Sequence, residues 1–147
     1  MTTFIDYKKA HFNYEILEKI EAGIELLGFE VKSVKKGQGS LEGAYVIVRG
    51  GEAYVMNIFI PPYQEKNTPS GYEPRRNRRL ILTKKEITRL SDIESGGLTI
   101  VPIKWYNKGS KLKLQIAIAR GKKKQDKRQS IKARDTKRDI EREVKYR

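Results

Sequence analysis

The sequence predicts a mainly β protein: a small antiparallel barrel with short helices and a basic C-terminal tail. Three observations lead there. Leu112, Leu114, Ile116 and Ile118 alternate strictly with Lys111, Lys113, Gln115, Ala117 and Ala119, the period-2 pattern of a half-buried strand with a basic outer face. Two β-type runs, 44–49 and 53–60, flank Gly50-Gly51 and make a hairpin. The chain holds five or six such short runs and only one or two helical ones, and no regular interleaving with long helices, which argues against a doubly wound parallel sheet. A closed or partly open barrel of the OB type fits this count. That fold commonly binds oligonucleotides, although fold alone does not fix function.

Each element has its own signal. The stretch 7–14 (YKKAHFNY) mixes two lysines, the one histidine and three aromatic rings. Such a mixture suits an RNA-facing patch, with rings on bases and lysines on phosphate, and equally a lead-in whose rings pack on the core. From Tyr14 to Leu27 apolar residues mostly alternate with Glu15, Lys19, Glu21 and Glu25, while Ile16, Ile20, Ile24 and Leu27 also fit a helical stripe. Gly23 weakens a helix and can bend a strand, so a bent strand is preferred. Residues 28–37 read as a short helix ending at Gly37. Pro61-Pro62 is expected to stop the strand before it, because proline cannot donate to the ladder. The segment 63–74 is polar and rich in turn formers and is expected to be a mobile loop. Thr83-Lys84-Lys85-Glu86 is a capping box opening a helix to about Ser91, with Ile87 and Leu90 facing the core. Residues 98–106 form a strand that Pro102 places at an edge or a bulge.

Charge is unevenly distributed. The 147 residues carry a net +14, and the stretch 120–147 alone holds thirteen Lys or Arg against five Asp or Glu, more than half of that excess. Its apolar residues are few and scattered, so it cannot bury enough surface to offset its ordering entropy. The expected division is a barrel over 1–121 and a basic tail over 122–147, disordered when free and helical when bound. Lys137–Glu141 and Glu141–Lys145 are i,i+4 pairs worth a few tenths of a kcal/mol each in a helix. Arg134, Arg138 and Arg142 share a face and repel one another unless phosphates lie alongside, which suits a helix that forms on RNA and equally a nonspecific basic tail that merely raises RNA affinity. A second basic feature is the run Arg75-Arg76-Asn77-Arg78-Arg79 just before Leu80-Ile81-Leu82. Arginines this dense repel one another without a counter-anion, so phosphate contact is favoured over a solvated cluster.

Several classes are excluded or disfavoured. No apolar run approaches the ~20 residues that span a bilayer, and the N-terminus lacks the order of a signal peptide. With no cysteine there is no disulfide or thiolate metal site, which fits a reducing cytoplasm. No cofactor is expected. His11 is read as a contact or packing residue rather than a catalyst. Gly121-Lys122-Lys123 lacks the spacing and the Ser or Thr of a phosphate-binding loop, and no carboxylate pair is spaced for catalysis, so a non-enzyme is preferred. The pI near 9.9 points to a polyanionic partner, nucleic acid before membrane.

A series of short motifs in order identifies a resemblance: Glu21-Ala22-Gly23-Ile24, Glu30-Val31-Lys32-Ser33-Val34, Arg78-Arg79-Leu80-Ile81-Leu82, Val101-Pro102-Ile103, Ala119-Arg120-Gly121-Lys122-Lys123 and Asp126-Lys127-Arg128. Together they resemble the SsrA-binding protein family, partners of transfer-messenger RNA (tmRNA) in bacterial ribosome rescue, over nearly the whole chain. The resemblance implies an OB-type barrel, with the stretch from Tyr14 as a strand. It implies that the barrel binds the tRNA-like domain of tmRNA and that the tail occupies the empty mRNA channel of a stalled ribosome. By position, Glu21, Ile81 and Lys113 match family residues implicated in tmRNA binding, and Asp126-Lys127-Arg128 matches the start of the functional tail. Tyr7 stands where members often have asparagine, and Gln125 where some have a histidine.

The candidate RNA contacts are thus Lys8, Lys9, His11, Tyr14, Glu21, Lys32, Arg75, Arg76, Arg78, Arg79, Ile81, Lys113, Arg120, Lys122 and Lys123. The candidate ribosome contacts are Asp126, Lys127, Arg128, Lys132, Arg134, Arg138 and Arg142. The expected partners are tmRNA and the ribosome, and the expected state is a monomer in the cytoplasm. The rival reading is a ribosomal or ribosome-assembly protein whose tail threads rRNA.

Overall fold

A computed structural model describes residues 2–64, 66 and 68–121; the tail assignments at 122–147, with Lys122 and Lys123, lie outside the described residues. Seven strands and three helices are present among them: β1 (Thr3–Asp6), α1 (Ala10–Asn13), β2 (Tyr14–Ile24), α2 (Gly28–Lys35), β3 (Tyr45–Arg49), β4 (Glu52–Met56), β5 (Arg78–Ile81), α3 (Lys84–Ser95), β6 (Thr99–Lys108) and β7 (Lys111–Gly121). The strands form one antiparallel sheet in the order β1-β6-β7-β2-β5-β4-β3, and β3 packs back against β6. The mainly β, barrel-like architecture is the predicted one. Its strand count exceeds the prediction because β1 is only four residues long, too short to declare a period.

The long ladder β2–β7–β6 is the backbone of the molecule. β2 is a strand with alternating burial and a register shift between Ile16 and Glu18. At Gly23 it leaves β7 and begins to pair with β5, and a Cβ there would sit 3.1 Å from that of Ile81. The glycine thus lets two strands approach more closely than a side chain permits. β6 carries a register shift between Pro102 and Lys104, as predicted, but it lies between β1 and β7 and is not an edge.

The hairpin turns through Gly50 and Gly51 with φ of 59° and 77°, the left-handed pair that a two-residue turn demands. β4, however, stops at Met56 and not at Pro61. Asn57 has φ 68° and turns the chain out of the sheet, with its Nδ2 donating to Gly43 O at 3.2 Å. Ile58 and Ile60 remain fully buried without being strand residues. The capping box on α3 is complete: Thr83 Oγ1 accepts from Glu86 N, and Glu86 Oε1 accepts from Thr83 N. The helix runs to Ser95, four residues beyond expectation, and Glu94 at its end binds Val48 N and Arg49 of the hairpin.

The barrel interior holds one cluster that includes Trp105, Leu80, Leu114, Ile116 and Ile118. A second, smaller cluster lies on the other side of β7, where Ala10, Val101, Ile103, Ala117 and Ala119 pack with Tyr7, Tyr14 and Ile16. The outer face of β7 is therefore not basic along its length. Its C-terminal half is covered by the α1 segment, and only the end bearing Lys111 and Lys113 faces outward as predicted.

Candidate nucleic-acid interface

The outward face at the free end of the β2–β7–β6 ladder is a polar array built by strand alternation. Glu21 sits opposite Gln115, and Lys113 sits opposite Tyr106. Tyr106 Oη reaches across β7 and donates to Glu21 Oε2 at 2.7 Å, while Lys108 Nζ lies 3.6 Å from the same oxygen. Tyr106, Lys108 and Lys113 together hold the Glu21 carboxyl below the usual carboxylate range, the tyrosine hydrogen bond most of all. Burial, followed by that hydrogen bond, pushes the Tyr106 hydroxyl up. The carboxylate is therefore ionised and fixed at neutral pH.

Beside this array lies an open groove. Gly23 and Ile81 line it with Lys35, Lys111 and Lys113. Ile81 is 53% exposed, so it is a surface residue and not core. The chain gives it this position by plain alternation: Leu80 points inward and Ile81 outward on β5. An apolar β-branched patch edged by lysines can take a base or ribose on its floor and phosphates on its rim. Lys113 belongs to both the groove and the Glu21 array, so Glu21, Ile81 and Lys113 are brought together from three strands. Sequence reasoning missed Lys35, Lys108, Lys111 and Tyr106. Lys111 was legible as the outward neighbour of Lys113 two residues away, whereas Lys35 arrives from the last turn of α2 and carries no local signal.

The arginine run is a different kind of structure. Arg78 is 1% exposed and cannot meet RNA. Its Nε and Nη2 donate to Glu30 Oε2 at 2.8 and 2.6 Å, and its remaining donors go to Ile58 O, Arg76 O and Pro74 O at 2.8–3.1 Å. Arg76 donates to both oxygens of the same Glu30, which is fully buried. Tyr72 Oη lies 2.8 Å from Glu30 Oε2 and 2.9 Å from Ile60 O, and its ring meets Phe29 edge-on. Burial pushes the Glu30 carboxyl up, but hydrogen bonds from Arg76, Leu27 N and Arg78 outweigh it and leave it below its usual range. Tyr72 is pushed up to about 12 by burial and by Glu30. Arg79 pairs with Glu25 and Glu52. The counter-anions demanded by this dense cluster are thus the protein's own carboxylates. The phosphate contact expected at Arg78 gives way to a framework role, and Arg76 and Arg79 are largely engaged. Arg75 stays exposed, 5.1 Å over the Phe59 ring, with weak bonds to Asn57. The segment read as a mobile loop is anchored at Tyr72.

The N-terminal patch divides by residue. The rings of Tyr7 and Tyr14 pack on the smaller core, and burial followed by Tyr7 raises the Tyr14 hydroxyl. Lys8, Lys9 and His11 stay exposed. The reading as a lead-in with rings packed on the core therefore holds for the two tyrosines, while the cations face outward. Lys32 is exposed and stands 5.9 Å over the Tyr63 ring. Arg120 is exposed, 3.6 Å from Glu15 at the far end of the ladder. Among the described residues no group of His, Asp or Glu could hold a metal ion, and no helix is long and apolar enough to cross a membrane.

A small antiparallel barrel with a lysine-edged outer groove and a strongly basic extension defines a class, the OB-type binders of polyanions. Comparison with known proteins narrows it. The model of the SmpB protein family matches residues 4–146. The SsrA-binding protein of Microcystis aeruginosa is 48% identical over 141 residues, covering 95% of this chain and 92% of that protein. That of Chlorobaculum tepidum is 51% identical over 141 residues, covering 95% and 89%. A solved structure described as "tmRNA-SmpB: a journey to the center of the bacterial ribosome" superposes with a TM-score of 0.66 at 41% identity, over 81% of this chain and 84% of that one. This chain belongs to the SmpB family of SsrA-binding proteins.

Proposed function

We propose that this protein binds the tRNA-like domain of tmRNA and delivers it to stalled ribosomes, with the basic tail occupying the empty mRNA channel. The observation that carries the reading is the meeting of Glu21, Ile81 and Lys113 at one end of the β2–β7 ladder, while the chain leaves the barrel at the other. Lys113 and Gly121 are the two ends of that span, roughly 26 Å apart at ~3.3 Å per strand residue. One RNA can therefore sit on the barrel without obstructing the root of the tail. Lys8, Lys9, His11 and Arg120 lie toward that root and suit contacts to flanking RNA. The protein acts as an RNA-binding factor rather than an enzyme, as a monomer in the cytoplasm, with 1–121 as the barrel and 122–147 as the tail.

The test is rescue of ribosomes stalled on an mRNA lacking a stop codon. Truncation after Lys124 is expected to leave a folded barrel that still binds the tRNA-like RNA but supports no rescue. Full rescue by the truncated protein would refute the tail's role. Full rescue by a tail scrambled over residues 126–147 at constant composition would reduce it to a bare polycation. Co-purification with bulk rRNA in place of a small tRNA-like RNA would favour a ribosome-assembly protein.

A further inference from the structure

We infer that Tyr106 is a positioning residue for RNA binding: it holds Glu21 so that one carboxylate oxygen is turned outward to accept a hydrogen bond from an RNA donor, a ribose 2′-hydroxyl or a base N–H. This rests on the proposed function and adds a residue and a contact chemistry to it.

Three features support the assignment. Tyr106 lies on the outward side of β6, alternating with the buried Trp105, yet is only 4% exposed. Tyr106 belongs to neither apolar cluster, and among the described residues its hydroxyl makes one hydrogen bond, the 2.7 Å bond to Glu21 Oε2. Both protein groups that reach this carboxylate, Tyr106 Oη and Lys108 Nζ, take the same oxygen. Among the described residues Oε1 has no hydrogen-bonding partner, so the carboxylate keeps acceptor capacity on one side. Finally, an acidic side chain inside a phosphate-binding face is unfavourable unless it accepts a hydrogen bond. A carboxylate has acceptors alone at neutral pH, which selects donors and excludes phosphate. Lys104 Nζ, 5.7 Å from the centre of the Tyr106 ring, and Lys113 of β7 offset the added negative charge.

The experiment is a double-mutant cycle on affinity for an isolated tRNA-like domain transcript, with Tyr106→Phe, Glu21→Ala and the double variant in the full chain. Tyr106→Phe keeps the ring and its packing and removes the hydroxyl alone. The expected result is a loss of roughly 3- to 10-fold for Tyr106→Phe and a larger loss for Glu21→Ala, since hydrogen bonds to charged groups outweigh neutral ones. In the Glu21→Ala background Tyr106→Phe is expected to have no further effect. A pH profile supplies the second readout. The groups facing Glu21 are Tyr106 and Lys108 from β6, Lys113 and the neutral Gln115 from β7, and Lys19 two residues back on its own strand. Without the tyrosine bond the carboxyl protonates at higher pH, so the acid-side loss of binding moves upward in Tyr106→Phe. Wild-type affinity in Tyr106→Phe, additive losses in the cycle, or an unmoved acid limb would each overturn the inference while leaving the function in place. Absence of wild-type binding to the transcript would overturn both.

Discussion

Two cationic regions of this molecule look alike in the sequence and differ in what surrounds them. In the segment 75–79, Arg76, Arg78 and Arg79 each meet a carboxylate of the chain itself. In the groove, Lys35, Lys111 and Lys113 have no carboxylate within ion-pair distance among the described residues. The first region is already paired and serves the fold; the second keeps lysines without a direct ion-pair partner among the described residues, open to a ligand. Local charge density does not separate the two cases. The location of the acidic partners does, and those of the arginines come from the link between β2 and α2, from α2 itself and from β4, far away in the sequence.

Substitutions test this contrast. The largest effect is expected from Glu30→Gln, which leaves Arg78 buried and Arg76 half-buried without their anion. Breaking a buried pair by removing one member costs about 3–5 kcal/mol, and chemical unfolding should read a decrease of that order. An unfolding free energy within error of wild type would break the contrast at once. Replacing both partners, with Glu30→Leu and Arg78→Leu, should recover part of the stability.

Next in size is Lys113→Glu. It should lower affinity for a tRNA-like RNA by roughly tenfold and flatten the log–log salt dependence by about 0.7–0.9, the slope carried by one neutralised phosphate. The unfolding midpoint should stay where it is. An unaltered affinity in the folded variant would remove the groove from the interface.

The acid limb of stability gives a third, smaller signal. Glu30 has a carboxyl held below its ordinary value, so it contributes stability that is complete above the unfolded-state pKa of about 4.3 and is lost as pH falls through the lower folded value. Stability measured from pH 6 downward should therefore decline below about pH 4 in the wild type and decline less in the Glu30→Leu, Arg78→Leu double variant. Equal slopes would mean that other carboxylates govern acid unfolding.

The smallest effects sharpen the comparison within the arginine run itself. Arg79→Gln should hardly alter RNA affinity, because its charge is shared between Glu25 and Glu52. Arg75→Gln should cost about two- to threefold, since the Arg75 guanidinium alone of the four has no carboxylate partner among the described residues. A larger effect at Arg79 than at Arg75, read by the same binding assay, would show that exposure and not internal pairing decides which arginine meets RNA.

Much of the fold was legible because its signals are local. The Gly50-Gly51 turn, the Thr83–Glu86 cap, the alternation along β7 and the bulge at Pro102 each depend on neighbours a few residues away. β1 and α1 escaped because four residues cannot display a period. The end of β4 escaped because Asn57 adopts a left-handed backbone that the apolar run from Ala53 to Ile60 does not announce. The same distinction governs the site. Lys113 could be placed outward from alternation, and Ile81 could have been, since Leu80 and Ile81 cannot both face the core. The burial of Arg78 could not, because it depends on Glu30, 48 residues upstream in the chain.

The position of β7 between β6 and β2 has a consequence for how this protein can change. It is paired along nearly all its length on both sides. One extra residue within it would reverse the facing of everything to one side, turning either Lys113 or the Ala117–Ala119 face the wrong way. Two extra residues would keep the facing but demand matching additions in both neighbours at once. The wall of the barrel is therefore closed to gradual lengthening, and the interval between the groove and Gly121 is fixed. Adjustment of reach is left to the residues beyond Gly121, where an insertion leaves the register of β7 with β2 and β6 unchanged.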